Sequence, residues 1–317
     1  MKKILFASTA LIATAGVAAA EITVGGSGRV GVVYTDGLAT GVPSTRIEQR
    51  MRVNFTGIAE TDAGVKVEAR IRLEANEAAD NSISGTGPGA AGFAVSYEGL
   101  RLDVGNVSDV IDSGDHFSFG GTGVGFTGFI EQNNGHELPT NGFGAGGSDY
   151  TTVKVLYRAG DFGVSASYHQ TDGSTATTGT ASTSTHGDSE WQVGAGYNFG
   201  TISVGAAVGS TSRGAGSALA DNDFWAAGLS GSAGAFSYNV LVHDADTYAD
   251  IGYGFSGAYD ISSATAITFA MAGGSNTTDE AFGIGAKHDL GGGVTLAGGV
   301  GQNVDGNTAA DLGITFG

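Results

Sequence analysis

The chain has 317 residues, with 14 Lys and Arg against 32 Asp and Glu, 57 glycines, 3 prolines and no cysteine. So acidic a balance excludes a nucleic-acid partner, since affinity for phosphate backbones comes from clustered basic side chains, and the lack of thiols excludes a disulfide framework or a thiolate metal site. That much glycine disfavours helix, where each costs about 1 kcal/mol relative to Ala, and suits strands that curve and approach one another closely.

Residues 1–20 carry Lys2 and Lys3, then an apolar run broken only by small residues, then Ala18-Ala19-Ala20. This pattern predicts a secretory signal peptide cut after Ala20, with the mature chain at 21–317. Taking Lys2 and Lys3 from the 14 basic residues leaves 12 against 32 acidic ones. No later stretch is apolar over the roughly 20 residues that a membrane helix needs.

The first mature segment, 22–34, places Ile22, Val24, Val30, Val32 and Tyr34 on one face and Arg29 on the other. From 46 to 74 every basic side chain is at an even position (Arg46, Arg50, Arg52, Lys66, Arg70, Arg72), and Ile47, Met51, Val53, Phe55, Val65, Val67, Ala69, Ile71 and Leu73 take odd ones. Successive side chains of a strand point to opposite faces, so these are two strands with one apolar and one charged face, joined by turn residues at 60–64. A half-buried sheet of a soluble protein alternates in the same way. Segments 92–97 and 100–105 follow, joined tightly at Glu98-Gly99.

The connection 106–149 shows no periodicity. It holds Asp109, Asp112, Asp115, Glu131 and Glu137, no Lys or Arg, and a set of apolar groups that includes Val107, Val110, Ile111, Phe117, Phe126, Phe129 and Leu138. A disordered linker has no need of so many aromatics, and loops of this length are functional when they are ordered. The segment therefore reads as a loop packed against something, most economically the inside of a barrel. Eleven more alternating segments run from 150 to 316, for about sixteen in all; the register of 223–230 is the least defined. Short connections take turns with long polar ones, and aromatics such as Tyr34, Phe55, Tyr97, Tyr157, Tyr168, Phe199, Tyr259 and Phe316 gather at segment ends. Both features fit an up-and-down outer-membrane barrel with aromatic girdles, and the rhythm does not fit a Greek-key sandwich.

In lipid no strand edge is left unpaired, so the last segment must pair with the first. The expected fold is all-β: a 16-stranded antiparallel transmembrane β-barrel with short periplasmic turns, long extracellular loops and the third long loop folded inward. Sixteen strands leave an aqueous channel. Arg46, Arg50, Arg52, Lys66, Arg70 and Arg72 would then line it as a basic wall interleaved with Glu48, Glu68 and Glu74; a solvated charged face with internal ion pairs is the competing reading. An enzyme is disfavoured, because the six histidines lack metal-ligand spacing and no Gly-x-Ser-x-Gly joins a strand to a helix. A non-channel surface β-barrel that binds a partner through the Thr- and Ser-rich run 171–188 is one alternative, and a channel specific for one solute is another.

The first strand Gly28-Arg29-Val30-Gly31-Val32-Val33-Tyr34, the Arg-rich second strand running into Asn54-Phe55-Thr56-Gly57, the Thr61-Asp62-Ala63-Gly64 turn, and Asp289-Leu290-Gly291-Gly292-Gly293 before Asp311-Leu312-Gly313-Ile314-Thr315-Phe316 together resemble the porins of Rhodobacter-type alphaproteobacteria. The resemblance implies a homotrimeric general diffusion porin in the outer membrane of a Gram-negative bacterium, passing ions and small hydrophilic solutes. It implies outer-membrane lipid, lipopolysaccharide and the barrel-assembly machinery as partners, although Gly317 follows Phe316 where such chains usually end in an aromatic. It also implies that the basic wall faces Asp109, Asp112, Asp115, Glu131 and Glu137 across a constriction. No cofactor is expected apart from calcium, held by family members among acidic loop residues; Asp109, Asp112 and Asp115 offer the hard oxygen ligands it takes, with a merely solvated loop as the competing reading. The acidic composition predicts a weak cation bias, which the basic wall opposes.

Overall fold

A computed structural model describes residues 21–77, 83–118, 124–126, 138–140, 142–144, 150–171, 175–178, 181–184, 187–214, 217 and 219–317. The expected signal peptide at 1–20, and Glu131 and Glu137 of the loop, lie outside the described residues. Among those described there are nineteen strands and no α-helix. The first half of the chain contains β1 (Glu21–Thr35), β2 (Thr45–Glu60), β3 (Lys66–Glu77), β4 (Ile83–Thr86), β5 (Gly92–Tyr97), β6 (Leu100–Gly105), β7 (Tyr150–Ala159) and β8 (Phe162–Thr171). Then come β9 (Thr175–Thr178), β10 (Ala181–Ser184), β11 (Ser189–Asn198), β12 (Ile202–Ser212), β13 (Asn222–Ala233), β14 (Phe236–Ala245) and β15 (Asp250–Asp260). The chain ends with β16 (Thr265–Ser275), β17 (Ala281–Gly291), β18 (Val294–Gln302) and β19 (Thr308–Phe316).

Sixteen of these strands form one closed antiparallel barrel, each beside its neighbour in the chain. Closure is made by β1 and β19, in register from Gly28↔Phe316 to Thr35↔Ala309. The remaining three are short additions to the long connections: β4 extends the pairing of β3 through Glu74↔Thr86, and β9 pairs with β10 alone. In the sequence both places read as loops, because four residues are too few to display a period. The tight turns are closed by glycines in the left-handed region, as at Gly99 (φ 86°) and Gly200 (φ 90°), where a Cβ would be strained.

The usual pattern of burial is inverted. Along β11, Trp191 is 45 % and Val193 42 % exposed, whereas Gln192 between them is 1 % exposed. Ile47, Met51 and Phe55 of β2, Phe93 and Val95 of β5, and Val153, Val155 and Tyr157 of β7 are all exposed, while Thr152, Lys154, Ser165, Ser167 and Asp311 are buried. An apolar exterior with a polar interior is stable only where the exterior meets hydrocarbon, and the barrel lies in the outer membrane accordingly.

One arc departs from this alternation. Phe224 and Ala226 of β13 and Leu241 and Ala245 of β14 point inward and are buried, while Trp225 faces out. Inside they pack with Ala207 of β12 and with Val110, Ile111, Phe117 and Leu138 of the connection between β6 and β7. Both faces of β13 are therefore apolar, one toward lipid and one toward the loop, which is why its sequence gives so poor a register. Each Val, Ile, Leu or Phe of this cluster contributes about 1.5–3 kcal/mol on burial, against an ordering cost on the order of 1–2 kcal/mol per loop residue.

Lipid exposure at mid-strand sets a direct test. Val193→Arg is expected to destabilise the barrel by about 2–4 kcal/mol, the cost of a cation near the bilayer midplane, read from denaturant-dependent refolding into lipid vesicles.

Candidate functional site

The even-numbered side chains of β2 and β3 face the lumen because the odd ones are committed to lipid. Antiparallel register then sets Arg29 of β1 beside Arg50 of β2, Arg52 beside Glu74, and Asn54 beside Arg72. Carboxylates are threaded through the cations: Arg29 pairs with Glu48, and Arg52 Nε with Glu74 Oε2. Arg72 Nε donates to Asn54 Oδ1 at 2.9 Å. Of the six predicted wall residues, Arg46, Arg50, Arg52, Arg70 and Arg72 share this inner face. Lys66 keeps the parity but stands apart at the β2–β3 turn, exposed and 3.7 Å from Glu60.

Beyond the predicted set, the inner face also carries Arg29, Arg101, Lys154 and Arg158. Arg101 of β6 holds Asp103 at 2.8 Å and Glu68 of β3 at 3.3 Å. The signal for them was present in the sequence: Arg101 alternates with Leu100 and Leu102, and Lys154 and Arg158 alternate with Val153, Val155 and Tyr157.

The loop after β6 is closed at its neck by Asn106, whose Nδ2 donates to the Gly144 carbonyl at 2.8 Å and to the Ala90 carbonyl at 2.9 Å. From there the chain follows the inner wall. Val110 N donates to Ser167 Oγ of β8 at 3.3 Å and Ile111 N to Gln192 Oε1 of β11 at 3.0 Å. His116 Nε2 lies 2.6 Å from Ser165 Oγ, and the residue rests on a bed of small positions: a Cβ at Gly194, Gly196 or Gly205 would meet it. Further on, the Val124 carbonyl accepts from Thr268 Oγ1 at 3.0 Å and occupies the space a Cβ would fill at Gly285 or Gly299. Asp311 Oδ1 accepts from Phe126 N at 3.3 Å, and the Phe126 ring packs with Val33 and Ala297 over Gly31 and Gly313. The loop is thus seated on β8, β11–β14, β16–β19 and β1 in turn. Many lumenal glycines are explained by the loop above them, where the sequence pointed to strand curvature and close approach between strands.

The loop acids diverge. Asp109 is fully buried and faces away from the basic wall; its carboxylate accepts from Gln192 Nε2 at 3.1 Å and from Asp112 N at 2.8 Å. Asp115 joins Lys154 at 2.6 Å and Arg158 at 3.0 Å on β7. Of the three described acids Asp112 is the one beside the wall, with its carboxylate next to Gly142 and close enough to act on the charge of Arg72. Among the described residues no group of three or more His, Asp or Glu is arranged to hold a metal ion. Among the described loop residues, it is an aromatic that meets Arg70 and Arg72 directly. The Phe143 ring lies 4.3 Å from the Arg70 guanidinium and 4.6 Å from that of Arg72, and its carbonyl accepts from Arg72 Nη1 at 2.9 Å. Such a contact carries about 0.5–2 kcal/mol.

Burial pushes the Asp115 carboxyl up, but its bonds to Lys154, Ser113 and Arg158 outweigh this and hold it below the ordinary carboxylate range. A depressed carboxyl contributes stability that is complete above the unfolded value, near 3.9, and is lost as pH falls through the folded value. The attachment of residues 110–117 should therefore persist at pH 5 and loosen only in stronger acid. Asp115→Asn should loosen it already at neutral pH, measured as faster amide exchange at Val110 to Phe117, with the difference from the parent closing in strong acid.

The chain matches a family model described as Gram-negative porin over residues 7–308. Two curated relatives, each named porin, are similar over almost their whole length. That of Fuscovulum blasticum is 27% identical over 304 residues, covering 93% of this chain and 99% of the relative; that of Rhodobacter capsulatus is 24% identical over 324 residues with the same coverage. Among solved structures, a double-tryptophan variant of the Rhodopseudomonas blastica porin is 25% identical with a TM-score of 0.68, covering 93% of this chain and 99% of that one.

Proposed function

The chain belongs to the Gram-negative porin family, and on that premise we propose that it is a general diffusion porin working as a homotrimer, without catalysis, for ions and small hydrophilic solutes. The observation that carries the reading is the inside of the barrel: a closed sixteen-strand wall lined by paired charges and polar groups, narrowed by a loop fixed to its inner face.

The lumen divides into two arcs. From β11 to β19 the inward positions are mostly Gly, Ala, Ser and Thr with a few apolar side chains, and the loop lies on them. From β1 to β7 they carry Arg29, Arg46, Arg50, Arg52, Arg70, Arg72, Arg101 and Lys154. Solutes pass along the charged arc, where water is retained. Arginines interleaved with Glu48, Glu68, Glu74 and Asp112 set a transverse field that orders water and orients polar solutes, and bulky apolar solutes must break that order.

The field is modest. A unit charge about 10 Å away contributes about 0.4 kcal/mol in water and 1–2 kcal/mol at an effective dielectric near 20, so selection among ions is a few-fold. The acidity of the chain as a whole favours cations and the wall opposes it.

Planar-bilayer recording of the purified protein should give discrete ohmic conductance steps in groups of three, and solubility without detergent together with the absence of steps would overturn the reading. Neutralising the wall with Arg50→Gln and Arg52→Gln should shift the reversal potential in a salt gradient toward cations by a few millivolts to a few tens, the range of a few-fold change in permeability ratio.

A further inference from the structure

Between the loop and the charged arc lies a polar cavity of about 180 Å³, bounded by Arg70 of β3, Arg101 of β6, Lys154 of β7, and Ser108, Ser113 and Asp115 of the loop. Its charges are nearly all matched: Arg101 binds Asp103 and Glu68, and Lys154 and Arg158 share Asp115. Arg70 is the exception, since among the described residues its guanidinium has a ring partner, Phe143 at 4.3 Å, and no carboxylate. Stacking engages the face of a guanidinium and leaves its N–H edge available. Phe143 is in turn held, its N–H donating to Ser108 Oγ at 3.3 Å and its carbonyl accepting from Arg72, so the plane of Arg70 is fixed by the loop. The Ser108 hydroxyl, which accepts that bond, keeps its own proton to donate.

We propose that this cavity is a carboxylate subsite, a stopping place for small organic carboxylates on their way through the lumen. A planar carboxylate matches the edge of a stacked guanidinium with two parallel N–H···O bonds, and Ser108 supplies a further donor. The excess of one cation over the local carboxylates attracts the anion, and the Lys154–Asp115 and Arg101–Asp103 pairs stand ready to orient a second polar group on it. The volume admits a molecule the size of acetate or propionate with some water and excludes large solutes. Binding is weak, in the millimolar range, because both partners are hydrated beforehand and an open pore must release what it holds. A subsite of this kind raises the occupancy of carboxylates in the channel without closing it to others.

The inference deepens the porin reading and uses the same lumen, so the test separates the two. Acetate is titrated into a bilayer holding the purified protein, replacing chloride at constant ionic strength, and 13C-acetate is titrated into the same protein in detergent and followed by NMR line width. Expected are a saturable fall in conductance and saturable broadening with a common millimolar midpoint. Arg70→Gln should weaken both midpoints about tenfold or more, and Arg70→Lys, which keeps the charge and loses the fork, several-fold. Lys287→Gln, which removes a cation on β17 outside the cavity, should leave them in place. Conductance and line width linear in acetate, or an Arg70→Gln channel that saturates like the parent, would overturn the subsite while leaving the pore intact. Absence of conductance steps would overturn the pore, and the NMR titration would still decide the subsite. Heat-modifiable migration of each variant on gels establishes that its barrel has folded.

Discussion

The pairing of β1 with β19 is the constraint on which the rest depends. In hydrocarbon an unpaired backbone N–H or C=O costs several kcal/mol, so a sheet in lipid has no tolerable edge, and eight residues of register from Gly28 to Thr35 remove it. Once the sheet closes, every strand has an inside and an outside, and the two faces obey opposite rules. Outward positions must be apolar; inward ones are free to be charged because water reaches them. The even-numbered arginines of β2 and β3 follow from that division as directly as the exposed Ile47, Met51 and Phe55 do.

The inner wall gains a second task from the loop. The described segments of the connection between β6 and β7 are kept in the lumen by contacts spread around the wall, and each contact asks for room. Side chains as large as His116 and Phe126, and the backbone at Val124, come closest to the strands where the wall lacks a Cβ. Glycine weakens a strand in isolation, and here that loss is offset by buried loop contacts: the apolar cluster on β12–β14, the Asp311 and Thr268 bonds, and the ion pairs of Asp115. Barrel and loop are therefore one cooperative packing problem.

How much of this was legible in the sequence follows from the same division. Where outward positions are apolar and inward ones polar or small, alternation is clean, and the strands from β5 to β8 and β19 are readable almost to the residue. Where the loop covers the inner face, as on β13, Phe224 and Trp225 are both apolar and the period vanishes. The charges of β6 and β7 could have been found by extending the parity rule used on β2 and β3. The destinations of the loop acids could not: Asp109 and Asp115 look alike in sequence, and only three-dimensional packing sends one to Gln192 and the other to Lys154.

The same reasoning explains what Phe143 does beside Arg70 and Arg72. A loop carboxylate bonded to both guanidiniums would neutralise the wall where its field is needed and bridge the passage with a strong, water-excluding contact. An aromatic ring against the two cations leaves their charge in place, and at Arg70 it leaves the N–H edge available. The loop is thereby tethered to the wall at its return segment without silencing it. Asp112, one carboxylate near Arg72, supplies the opposing sign across water, so the charged arc stays both polarised and open.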